Sequence, residues 1–332
     1  MKNTLHRLLP AVALFCVCAT GFAQPDKLTA QAILQRAIDS AGGDRLLDSV
    51  NSMDMIRQVV TPQGDTLFFA SRQQGTNKYL LSIMSVAGRN SVTIYNDGRA
   101  VTISNGIATS ITDPLQLEGL AVDAYLSMDY AYKKMGYKLT RGDDQHYQNM
   151  DCYTVFAESP LGQKTINYYN KASGLLMMIV YENLHKNVNL VYYKQRGVSI
   201  PSRTLLLDPG ENIAVSTIVR IDDDPVIDSG WFHIPPEGRF KTPAFFKTGN
   251  FNGLQENKPF RMVREKEEQR ETTGNGVQTH YAIEWTGNTD YLLSDDTKIR
   301  RCRIVNWVGD KCFCQCIGPG QPEATIVLQK AD

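Results

Sequence analysis

The residues able to do chemistry are few, and their spacing suits little of it. Seven cysteines occur in 332 residues, and five of them, Cys152, Cys302, Cys312, Cys314 and Cys316, lie beyond the N-terminal segment. The last three form Cys-x-Cys-x-Cys, which invites a metal reading. On a strand, positions i and i+2 stand about 7 Å apart on one face. Thiolates sharing one zinc, each bonded at roughly 2.3 Å, must lie closer than that, and no histidine or second cysteine pair stands nearby. The competing readings are small apolar side chains on a buried strand face, or a cross-strand disulfide between Cys302 and one of Cys312, Cys314 and Cys316, as an oxidising compartment allows. An odd number cannot all pair within one chain.

The histidines past the N-terminus, His146, His185, His233 and His280, are widely spaced. No G-x-S-x-G, H-E-x-x-H or Gly-rich phosphate loop is present. Glu182 and His185 lie three apart without a third ligand. Asp222-Asp223-Asp224 lacks the alternating ligands of a calcium loop and reads as a solvated turn. The expectation is a protein that is not an enzyme and needs neither metal nor cofactor. Formal net charge is zero with no long basic stretch, which excludes a nucleic-acid partner, whose phosphates demand clustered Lys and Arg.

What remains is apolar. Leu67, Phe69, Leu81, Ile83, Val92, Ile94, Leu117, Leu120, Met128, Met177 and Ile179 are the candidates to line a space between a sheet and a helix. Burial of an acyl chain there would gain about 25 cal/mol per Å² with few polar contacts. The competing reading is that these residues simply pack together, and a register slip of one would exchange the two faces.

The elements that must position them follow from pattern. Thr29 caps a helix with Ile33, Leu34, Ala37, Ile38 and Ala41 on one face, stopped by Gly42-Gly43. From Met53 the period changes to two, and short runs rich in Val, Ile, Thr, Tyr and Phe alternate with turn clusters such as Asn96-Asp97-Gly98. An antiparallel meander is predicted. One helix interrupts it, from Pro114 to Met135, capped by Asp113 and ended by Gly136. Residues 237–258 read as a linker with Phe245, Phe246 and Phe251 tucked against one domain. Past it, residues 259–332 form a small antiparallel β domain, with Arg264 to Glu271 expected as an edge strand.

The N-terminus carries a targeting signal. Lys2 and Arg7 precede an apolar run from Leu8 to Ala19, and Gly21-Phe22-Ala23 offers a cleavage site. That run is too short for a membrane span, which needs about 20 apolar residues, and neither Cys16 nor Cys18 fits a lipidation site. Residues 1–23 are therefore expected to be a removed signal peptide, 24–236 the first mature domain, and the protein periplasmic or secreted with no transmembrane segment.

Several stretches carry a resemblance. Ala41-Gly42-Gly43-Asp44 closes the first helix, and Tyr95-Asn96-Asp97-Gly98 lies in the meander. Tyr168-Tyr169-Asn170-Lys171-Ala172-Ser173-Gly174-Leu175-Leu176 follows the inserted helix, and Ile221 to Asp228 runs on to Phe232-His233-Ile234-Pro235. Together, over about residues 28–236, they resemble the outer-membrane lipoprotein-sorting superfamily, the LolA- and LolB-like proteins. The C-terminal part resembles small secreted envelope β-domains through Phe246 to Phe251, Thr279 to Trp285 and Tyr291-Leu292-Leu293. The first resemblance implies a mainly β fold, an incomplete antiparallel barrel plugged by helices, binding a lipid or lipoprotein acyl chain in an apolar cavity. The alternative expectation is a non-catalytic scaffold or interaction module whose partner is another envelope protein.

Overall fold

The computed structural model describes residues 28–85, 91–147, 149–223, 225–239, 243–255, 258–286, 289–295, 298–318 and 321–331; the expected signal peptide, 1–23, lies outside them. Helix α1, Ala30–Ala41, starts where Thr29 Oγ1 accepts from Ala32 N at 3.1 Å and stops at Gly42, whose φ of 137° a side chain would resist. A short α2, Asp44–Ser49, follows. The meander then runs through β1 (Ser52–Val60), β2 (Thr66–Gln74), β3 (Lys78–Ser85), β4 (Ser91–Asn96), β5 (Arg99–Ser104) and β6 (Ile107–Ile111). Asp97 and Gly98, with φ of 49° and 79°, make the tight turn from β4 into β5.

The inserted helix is two helices. α3, Pro114–Asp123, is capped by Asp113 and ends at Ala124; α4, Met128–Met135, starts afresh at Ser127 and ends at Gly136. A run of apolar residues at helical spacing hides such a break. Ser127, a good cap in mid-run, is what permits it.

The sheet resumes with β7 (Lys138–Arg141), β8 (Gln145–Tyr147), β9 (Met150–Glu158), β10 (Lys164–Asn170), β11 (Leu176–Tyr181), β12 (Lys186–Gln195), β13 (Val198–Leu207) and β14 (Ile213–Asp223). All pairings are antiparallel, and β14 returns to pair with β1. A two-residue β15, Gly238–Arg239, lies on β6. The order is therefore β15-β6-β5-β4-β3-β2-β1-β14-β13-β12-β11-β10-β9-β7, with β8 on β9. The end strands β15 and β7 do not meet, so this is an incomplete antiparallel barrel.

The C-terminal strands β16 (Gly249–Gln255), β17 (Lys258–Arg264), β18 (Glu268–Thr273), β19 (Gln278–Trp285), β20 (Asp290–Ser294), β21 (Ile299–Val308), β22 (Lys311–Gly318) and β23 (Gln321–Lys330) form a closed barrel. Two expectations are corrected here. The segment 237–258 is not a bare linker, since β16 within it pairs with both β17 and β23 and closes the barrel. No edge strand runs from Arg264 to Glu271, because closure abolishes edges and the chain turns there from β17 into β18. Phe246 and Phe251 are buried in the barrel core with Tyr291, Ile304 and Leu328.

Both faces of the β1–β6 half carry packed elements. One carries the helices. On the other, Leu80, Ile94, Val101 and Ile103 pack with Trp231 and Phe232 and with Val305 and Phe313 of the barrel. Ile56, Phe68 and Met84 pack with Ile317.

Candidate functional site

Register fixes which side chains face the helices. Arg57, Phe69 and Ile83 stand side by side across β1, β2 and β3, and Val59, Leu67 and Ser85 form the next row. One row the other way come Met55, Ser71 and Leu81, then Met53, Gln73, Tyr79 and Tyr95. Gln73 Nε2 donates to the carbonyls of Asp123 and Tyr125, which pins the α3–α4 junction over this face.

The helices leave a strip of it uncapped. α3 rests on β3 and β4, where Leu117, Leu120 and Leu81 pack with Tyr79, Tyr95 and Ala100. α1 rests on β7, β9 and β13, and its stripe joins Tyr130, Tyr169, Ile179 and Ile200 in a second core, against which Met128 packs. Between them lie neighbouring parts of β3, β2 and β1, while Met53, Met55, Ile218 and Ile221 of β1 and β14 pack with the α1 core. Among the described residues, Leu67, Phe69 and Ile83 belong to none of the packed clusters, and each is only half-buried. The strip is apolar surface that the protein does not fill with its own core.

Arg57 is the charged group beside Phe69 and Ile83. Its Nη2 donates to the Pro201 carbonyl at 2.6 Å. Burial pulls its guanidinium down to about 10, partly offset by Tyr79. At the end of α3, desolvation by the surrounding atoms raises the Asp123 carboxyl to about 6.

The predicted lining residues divide into three groups. Leu67, Phe69 and Ile83 face the strip; Leu81 and Ile179 face the helices and pack there, as do Leu117 and Leu120 of α3 and Met128 of α4. Val92, Ile94 and Met177 are corrected: they face away. Thr93, not Val92 or Ile94, stands opposite Leu81, so the apolar members of β4 point to the barrel side, where Val92 and Ile94 are fully buried. Alternation cannot tell one covered face from another. Met177 is turned by a bulge in β11, opposite Tyr168 and Tyr169, and sits with Met178 on the outer face. Arg57 was not anticipated. Its signal was present in Met53, Met55, Arg57 and Val59, a single strand phase in which one member is charged.

Cys302 is bonded to Cys316, while Cys312 and Cys314 are free and buried with sulfurs 3.5 Å apart. Buried Arg264 donates to Gln269 Oε1 and to the Phe246 carbonyl. No group of residues suited to a metal ion occurs among the described residues. No helix among them is long and apolar enough to cross a membrane.

No family model and no curated protein matches the chain. Solved structures similar to it include a DUF1329 family protein from Desulfovibrio piger, 12% identical with a TM-score of 0.44, covering 62% of this chain and 98% of that one. A LolA superfamily protein from Nitrosomonas europaea is 13% identical with a TM-score of 0.43, covering 59% and 94%. An outer-membrane lipoprotein-sorting protein domain from Vibrio parahaemolyticus is 8% identical with a TM-score of 0.45, covering 61% and 97%.

Proposed function

We propose that the chain is an exported envelope protein that binds an apolar ligand, a lipid or lipoprotein acyl chain, along the strip over β3, β2 and β1. The observation that carries this is the row of Leu67, Phe69 and Ile83, half-buried and outside every packed cluster described. Monomer cores do not ordinarily leave adjoining large apolar side chains unpacked on an internal face, because each unfilled contact forfeits dispersion and burial energy. An acyl chain laid there recovers both without polar partners. The N-terminal targeting pattern supports delivery to the periplasm, and the binding role requires no catalysis.

The test is lipid extraction of the purified protein followed by mass spectrometry, with titration of a fluorescent fatty acid. The expected result is saturable binding, weakened at least tenfold (about 1.4 kcal/mol) by Phe69→Asp or Leu67→Asp with the circular-dichroism melt retained. Absence of both co-purified lipid and saturable binding ends this proposal in favour of an interaction module. That module would be read by affinity capture from envelope extract with and without residues 259–332.

A further inference from the structure

The polar content of the strip narrows what it can hold. Arg57 stands in one row with Phe69 and Ile83, and Ile218 is its neighbour across the ladder on β14. Its side chain reaches past β14 to the Pro201 carbonyl of β13, to which Nη2 donates at 2.6 Å. That carbonyl is its one hydrogen-bond partner among the described residues, and no carboxylate among them lies within ion-pair distance. Asp54, the acid on the same strand, faces the other way and is held by Arg72 and Arg220. Asp129 and Glu118 of the helices are engaged by Tyr169 and Ser159. Asp123 acts on Tyr79, as Arg57 does, but does not pair with Arg57.

The cation is thus desolvated and uncompensated, yet reachable. Surrounding atoms strip enough water from the guanidinium to pull it down to about 10. A cation so placed is costly unless an anion meets it. Arg57 is half-buried, and none of its nitrogens is enclosed without a partner, so its idle N–H groups keep accessible surface. Beside them lies the apolar row of Phe69 and Ile83, with Leu67 in the next. Adjoining strands stand about 4.8 Å apart, so a chain crossing from Arg57 over Phe69 to Ile83 covers roughly 10 Å.

We infer that the strip takes an amphiphile with an anionic head, two oxygens of a carboxylate or phosphate on the Arg57 guanidinium and the alkyl chain across Phe69 and Ile83. This rests on the apolar-ligand reading above and adds the head group to it. The guanidinium fork presents paired N–H groups that match two anionic oxygens. An ester or alcohol head brings neutral oxygen only. It leaves the charge uncompensated and gains a hydrogen bond of the kind Pro201 already supplies. The strip therefore selects free acids or phosphates over neutral lipids of equal chain length.

The experiment titrates the delipidated full chain, by calorimetry, with dodecanoate, dodecyl phosphate, methyl dodecanoate and dodecanol, which share one chain and differ in the head. The expected result is that at least one anion binds ten times more tightly than either neutral ligand. The tighter of the two anions tells a carboxylate head from a phosphate head. Arg57→Gln, with its melt checked by circular dichroism, should erase the gap between the anions and the neutral pair. Arg57→Lys, which keeps the charge, should retain part of it. With [1-¹³C]dodecanoate, the bound carboxyl resonance should titrate at lower pH than the free one, and Arg57→Gln should abolish that difference. Equal binding of all four ligands overturns the head-group inference and leaves the apolar-ligand reading standing. An anion preference that survives Arg57→Gln overturns it too. Binding of none of the four removes both.

Discussion

Asp129 shows how a single buried carboxyl sets the pH response. It is 5% exposed and accepts the Tyr169 hydroxyl at 2.7 Å, yet burial outweighs that bond and raises it to about 6. A carboxyl raised in the folded state binds its proton more tightly there than in the unfolded chain. The stability it permits is full below the unfolded value of 3.8 and is lost as pH rises through about 6. Asp129→Asn, which can still accept from Tyr169, should flatten that slope and gain on the order of 1–3 kcal/mol at pH 7.5. Thermal melts at pH 4.5 and 7.5 read this directly, and a variant less stable than its parent at pH 7.5 would refute it. Residue-level chemistry was the least legible part of the sequence. Leu67, Phe69 and Ile83 could be placed by alternation, but Val92 and Ile94 could not, because a second covered face lay behind them. Arg57 went unnoticed because it belongs to no motif, only to a strand phase.

Elements were read more faithfully where their signals are local. Thr29, Asp113 and Gly136 cap and stop helices as their types dictate, and Asn96-Asp97-Gly98 turns as its φ preferences require. Pairing between distant strands left no such mark, so neither the β1–β14 contact nor the β16–β23 closure could be anticipated. The pairing of β21 with β22 carries the disulfide, Cys302 standing opposite Cys316 with a sequence separation of 14. Closing a loop of that size constrains the unfolded chain by about 3 kcal/mol. The double variant Cys302→Ser/Cys316→Ser should lose roughly 2–4 kcal/mol in urea unfolding. An unchanged midpoint would show the bond to be dispensable.

At the scale of the molecule, the barrel and the sheet share one apolar seam. Phe313 of β22 packs against Trp231, ring centroids 5.0 Å apart, and a Cβ on Gly230 would collide with the Phe313 ring. Phe313→Ala should cost about 3–5 kcal/mol and split a single calorimetric transition into two, as sheet and barrel lose their grip on each other. One transition at the parental temperature would contradict that coupling. The pairings that complete the sheet and the barrel also impose a schedule. β1 is made early in synthesis but finds its second neighbour only when β14 emerges, and β16 waits in the same way for β23. Such distant closures fold slowly. Until they form, the growing polypeptide stays loose enough to be threaded through a narrow conduit. A chain cut short before its last strand retains open backbone edges, a standing invitation to proteases and to clumping.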